Sequence, residues 1–234
     1  MANYPPPPPG GGYGAAHGAP DPYAPERVLG EWAKARGYAM GAQPDPSWYG
    51  AWYPFVFLFR FSRLGREVRA TLPDGGGEAH AFVVEAYEGD AIKDLAGEDR
   101  RLLCVVTSNR LAYRAALRSR IGGGFVDELS RGFDSLVSNK PAVGSVLGDP
   151  TLESVFEVAA PTREEGNAAL PVPLRRLLLQ SGFRGILELR AGGLACVLHD
   201  RSSFEPANLD ATLAFLSQVH RAAVQYPHVV APAR

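Results

Sequence analysis

The chain has 234 residues, 46% apolar and 21% charged, with 24 basic against 25 acidic side chains and a formal charge of −1. That balance gives no strong nucleic-acid signal, because non-specific phosphate binding needs an excess of cations. The longest apolar stretch, residues 48–61, is broken by Gly50, Pro54 and Arg60, and the opening lacks a signal-peptide pattern, so no membrane span is expected and the cytoplasm is the default compartment.

Residues 1–25 are a Pro/Gly-rich leader, MANYPPPPPGGGYGAAHGAPDPYAP. Such composition predicts disorder with polyproline II across the prolines, a tether or a ligand for an aromatic-lined groove. A first helix follows over residues 25–38, with Val28, Leu29 and Trp32 on one face and Gly37 ending it. From Phe55 the period changes: Phe55, Phe57 and Phe59 alternate with Val56, Leu58 and Arg60, which predicts a strand. Residues 63–72 and 79–87 then read as a hairpin around Asp74 and three glycines, with Val68, Ala70 and Leu72 on the dry side. The carboxylates of this region, Glu67 among them, are expected in water. RLLCVVT at 101–107 is a further strand. The stretch 108–125 is ambiguous. As a helix it would bring Arg110, Arg114 and Arg118 into successive i,i+4 positions, where they repel unless acids balance them.

The last third is more regular. Leu152, Phe156 and Val158 mark a strand entered from Asp149-Pro150, and a polar turn follows. A helix begins at Pro171 or Pro173, carrying Leu174, Leu177 and Leu178 inward and Arg175 and Arg176 outward, and stops at Ser181-Gly182. Ile186–Leu189 and Leu194–Leu198 form a hairpin about Ala191-Gly192-Gly193. A long helix through Leu209, Leu213 and Leu216 closes the unit at Pro227. The fold class expected is therefore α+β: an antiparallel sheet of about five to seven strands with helices packed on one face. Residues 26–148 make an N-terminal portion, and residues 149–228 a β-α-β-β-α portion packed with it as one body.

The order Phe156-Glu157-Val158, Pro173-Leu174-Arg175, a hairpin and Phe204-Glu205-Pro206 resembles the C-terminal part of uncharacterised bacterial proteins of the DUF3137 type. Trp32 with Arg36-Gly37 resembles the opening of related sequences. The usual Leu-Thr before the helix proline is missing, and the paired membrane helices of some relatives are absent. The resemblance implies the fold and no activity.

No cluster competent for chemistry emerges. The histidines show no metal-ligand spacing, so neither a metal nor another cofactor is expected. Cys104 and Cys196 each sit in an apolar run and read as buried free thiols, with a disulfide open to them if their strands are neighbours. A hydrolase could be built from Cys196, His199 and Asp200, yet Cys196 and His199 are three apart on a strand and face opposite sides. No catalytic residue is assigned. The first reading is a non-enzymatic interaction or scaffold domain with a protein partner. The alternative is a small-ligand or anion-binding domain using Arg110, Arg114 and Arg118, a cleft rimmed by Trp48 and Trp52, and His199. The sequence sets no oligomeric state.

Overall fold

The computed structural model describes residues 24–41, 43, 45, 47–53, 55–58, 61–73, 75–86, 100–120, 147–198 and 204–224. The leader through residue 23 and the pair His199 and Asp200 lie outside them.

Among the described residues the sheet is antiparallel, with eight strands, slightly more than the sequence suggests. In chain order these are β1 (Ala39–Met40), β2 (Phe61–Thr71), β3 (Glu78–Ala86), β4 (Arg100–Thr107), β5 (Ala115–Ser119), β6 (Phe156–Ala159), β7 (Gly185–Arg190) and β8 (Gly193–Leu198). The order across the sheet is β1-β2-β3-β4-β8-β7-β5-β6. Strands β1 to β4 form a meander, and the hairpin β7–β8 is inserted between β4 and β5. The last hairpin therefore joins the two portions of the chain into one sheet. Cys104 stands directly opposite Cys196 at that junction.

Helices α1 (Ala24–Arg36), α3 (Pro150–Val155), α4 (Arg163–Ala169), α5 (Val172–Gln180) and α6 (Pro206–Val224) punctuate the strands, and α2 (Ser47–Trp52) precedes β2. Gly37 adopts φ 69°, and bonds from Gly37 to Lys34 and from Tyr38 to Ala33 close α1 in the manner of a Schellman turn. Leu29, Trp32 and Ala33 of α1, Leu174 and Leu178 of α5 and Leu209, Leu213 and Leu216 of α6 are buried over one sheet face. The Trp32 Nε1–H donates to Asp210 at 2.9 Å, and Arg36 pairs with the same carboxylate, tying α1 to α6.

Three sequence expectations change. Residues 150–155 form a helix rather than the start of a strand, because Asp149 accepts from the Leu152 amide as an N-cap with proline in the first turn. The polar turn is helix α4, capped by Thr162 on the Glu165 amide. Arg175 faces inward: it donates to the Leu170 carbonyl at 2.6 Å, to Asn167 and to Asp149 at 3.4 Å.

A fourth change shapes the opposite face. Residues 55–58 are not a strand but a strap laid across the sheet. Phe57 and Leu58 are buried there against Phe82, Leu103, Val105, Ile186 and Val197, with Trp48, Tyr49 and Trp52 packed alongside. A strand needs a neighbouring backbone, and here a side chain replaces it. The Glu188 carboxylate accepts from the amides of Val56 (3.0 Å), Phe57 (2.6 Å) and Leu58 (2.7 Å), and from Arg190 at 2.7 Å. Glu188 is 0% exposed and Arg190 4%. All six residues of β7 are buried, because both faces of this central strand are covered.

Replacing Glu188 by Ala should strand three amides and a guanidinium in the core. We expect a loss of about 3–5 kcal/mol in urea unfolding, whereas Glu188→Gln, which keeps an acceptor, should lose about 1–3 kcal/mol.

Candidate functional site

Cross-strand register places the polar groups of the strap face in rows. One row runs Glu157, Arg118, Ile186, Val197, Leu103, Phe82 and Glu67 from β6 to β2. Arg118 donates to Glu157 at 2.7 and 3.1 Å, and its guanidinium lies 4.9 Å from the Phe57 ring centroid. Arg190 lies 5.3 Å from the Phe55 ring. The strap is thus held by a carboxylate beneath its backbone and by arginines against its rings.

The arginine stretch resolves as a turn followed by β5. Arg110 and Arg114 are exposed, and the Arg114 backbone amide donates to Glu165 at 3.0 Å. The i,i+4 helical face is not formed, and the acid that balances Arg118 is Glu157. Trp48 and Trp52 do come together, with ring centroids 5.7 Å apart, and Trp48 also meets Phe82 and Phe55 at 6.2 Å. Trp52 lies over Gly193, where an added Cβ would come within 2.4 Å of the indole and 2.3 Å of the Val106 carbonyl. Of the two consecutive glycines, Gly192 supplies φ 91° for the turn and Gly193 the room for the indole.

Glu67 is not in water. It is 1% exposed and accepts from His80 Nδ1 at 2.6 Å and from Arg69 at 2.9 Å. His80 lies opposite Arg69, and its Nε2 is 3.5 Å from the Thr107 hydroxyl and 3.8 Å from Glu78. A second buried pair joins His220 Nε2 to Ser108 Oγ at 2.8 Å, fixing α6 to the turn after β4. With His220 0% and Ser108 8% exposed, this pair is an internal strut.

The thiols are poor nucleophiles. Burial pushes Cys104 up to about 12, and burial with the neighbouring Cys104 raises Cys196 well above its ordinary 9.0. This removes the thiol from the Cys196 hydrolase reading. Among the described residues no group of three His, Cys, Asp or Glu side chains could hold a metal ion, and no helix is long and apolar enough to cross a membrane.

An open concavity lies elsewhere. A groove of about 540 Å³ runs between α1 and the outer edge of β2. Helix α1 supplies Glu26, Arg27, Gly30, Glu31 and Lys34, β1 supplies Met40, and β2 supplies Arg63, Leu64, Gly65 and Arg66. The Glu26–Arg63 ion pair at 3.0 Å bridges the two walls. Strand β1 pairs only with Val68 and Arg69, so among the described residues no strand lies outside residues 63–66 of β2.

No protein-family model matches the chain, and no curated protein matches it. Among solved structures, the chain is similar to the crystal structure of the mycobacterial trehalose monomycolate transport factor A, TtfA, at a TM-score of 0.52 and 11% identity. The match covers 85% of this chain and 93% of that one, so the two share an α+β fold over most of both lengths.

Two outcomes check the site. Burial raises the Glu67 carboxyl, but the hydrogen bonds and charges of Arg69 and His80 outweigh it and hold the group below its ordinary 4.5. A lowered carboxyl stabilises the fold above 4.5 and loses that contribution as pH falls through the lowered value. Glu67→Gln should therefore cost roughly 1–2 kcal/mol at neutral pH, discounted for the half-exposed Arg69, and the gap to wild type should close in acid. Native protein should leave both thiols unmodified by Ellman's reagent, and unfolded protein should release both.

Proposed function

We infer that the protein is a non-enzymatic accessory domain that docks an extended segment of a protein partner in the groove between α1 and β2. The observation that carries this reading is an open concave surface beside a sheet edge that, among the described residues, has a two-residue covering strand. Groove and edge together offer backbone hydrogen bonds for affinity and side-chain contacts for selectivity. Buried and half-buried polar groups elsewhere hold the fold: Glu188 binds the strap, Arg118 binds Glu157, and His220 binds Ser108. TtfA, which shares the fold, is named a transport factor, and an accessory role here is consistent with that by analogy of fold alone.

Site-specific photocrosslinking in the native host tests the reading. A photoreactive amino acid at Met40 or Lys34 should give one discrete adduct, lost with Arg66→Glu, while the same group at the exposed Arg176 of α5 should give none. Equal labelling from both faces, or none from the groove, would overturn it.

A further inference from the structure

The chemistry of the groove specifies what kind of segment it takes. Its lining carries four cations, Arg27, Lys34, Arg63 and Arg66, against two anions, Glu26 and Glu31. Both anions are engaged, Glu31 with Arg27 at 3.9 Å and Glu26 with Arg63 at 3.0 Å. Lys34 and Arg66 have no acidic partner among the described residues, and they stand on opposite walls, one on α1 and one on β2. The same lining holds an apolar contact. Met40 is 41% exposed, and its methyl group lies 3.4 Å from where a Cβ on Gly30 would stand.

We propose that β2 accepts an acidic, extended partner segment as an added strand along residues 63–66, its carboxylates meeting Lys34 and Arg66 and an apolar side chain meeting Met40 beside Gly30. This rests on the docking reading above and deepens it. A strand has successive side chains on opposite faces, and Lys34, Met40 and Arg66 line one groove on the α1 side, so a segment with its acids and its apolar residue at every second position suits the site. The edge is selective rather than a general template. Register shifts between Phe61 and Arg63 and between Leu64 and Glu67 leave Arg63 and Leu64 in regular register and set Gly65 and Arg66 in a bulge, and interruptions of this kind guard edges against indiscriminate pairing. Attraction between the exposed charges falls with added salt, whereas backbone pairing and the Met40 contact depend on it far less.

The test uses the full chain and a fluorescein-labelled peptide in which Glu, Val and Glu occupy every second position and Ser the positions between, read by anisotropy. Two control peptides carry Lys in place of Glu, or N-methyl groups on alternate backbone nitrogens. The acidic peptide should bind, more weakly as salt rises, and the Lys and N-methyl peptides should not. Lys34→Glu with Arg66→Glu should weaken binding by about tenfold or more. The far-ultraviolet circular dichroism should match wild type, since both side chains are exposed. As a second measurement, the Leu64 amide, which the strand alternation turns to the open edge, should gain protection from hydrogen exchange when the peptide is added. Equal binding by the N-methyl peptide would overturn strand addition, and equal binding by the Lys peptide would overturn the acidic preference. If none of the peptides binds while Met40 still crosslinks to a partner, this proposal fails and the docking reading stands. Absence of the Met40 crosslink from the unsubstituted chain removes the docking reading.

Discussion

A single carboxylate decides how this sheet is closed on its second face. Glu188 stands on the central strand β7, where an unpaired charge would cost several kcal/mol. It is tolerated because three consecutive backbone amides of the strap converge on it with the Arg190 guanidinium. Without such an acceptor those amides would have to find strand partners or remain in water. The constraint works in both directions. The strap buries Phe57 and Leu58 over the sheet, and this cover removes water from the carboxylate and strengthens its hydrogen bonds.

The position of β7 makes the constraint a global one. The hairpin β7–β8 lies between β4 and β5, so the strand that anchors the strap also joins the N-terminal meander to the C-terminal helices. Gly193 at its turn seats the Trp52 indole, and Ser108 beside that turn receives His220 from α6. The Ser108 amide donates to the Gly192 carbonyl at 2.9 Å, which brings the two contacts into register. With both faces covered, the remaining open backbone is at the sheet margin, and β2 beside α1 is where that margin meets a concavity.

Much of the fold was legible in the sequence, for identifiable reasons. The apolar period of α1, α5 and α6, the glycine stops at Gly37 and Gly182, and the hairpin at Ala191-Gly192 are local signals, and local energetics decided them. Residues 55–58 misled because alternation reports a two-sided environment, not which group accepts the backbone hydrogen bonds. Glu67 misled in the same way: its place on the polar side of the β2 alternation said nothing of His80 and Arg69 closing over it. Arg118 could not be assigned until β5 and β6 were paired, because Glu157 is distant in sequence. The sequence carries a further signal. Glu188 and Arg190, two apart inside an apolar run, share a strand face and suggest an internal ion pair. The α1–β2 groove depends on where β1 stops, a property of tertiary packing that no short motif encodes.

The central claim is that the Glu188 carboxylate holds the strap as firmly as a neighbouring strand would. Residue-resolved amide hydrogen exchange under native conditions tests it most directly. The account predicts that the amides of Phe57 and Leu58 exchange as slowly as those of β4 and β8, in one cooperative unit with the sheet. Rapid exchange at these amides while β4 and β8 stay protected would contradict it, and would make the strap a loose cover rather than part of the core.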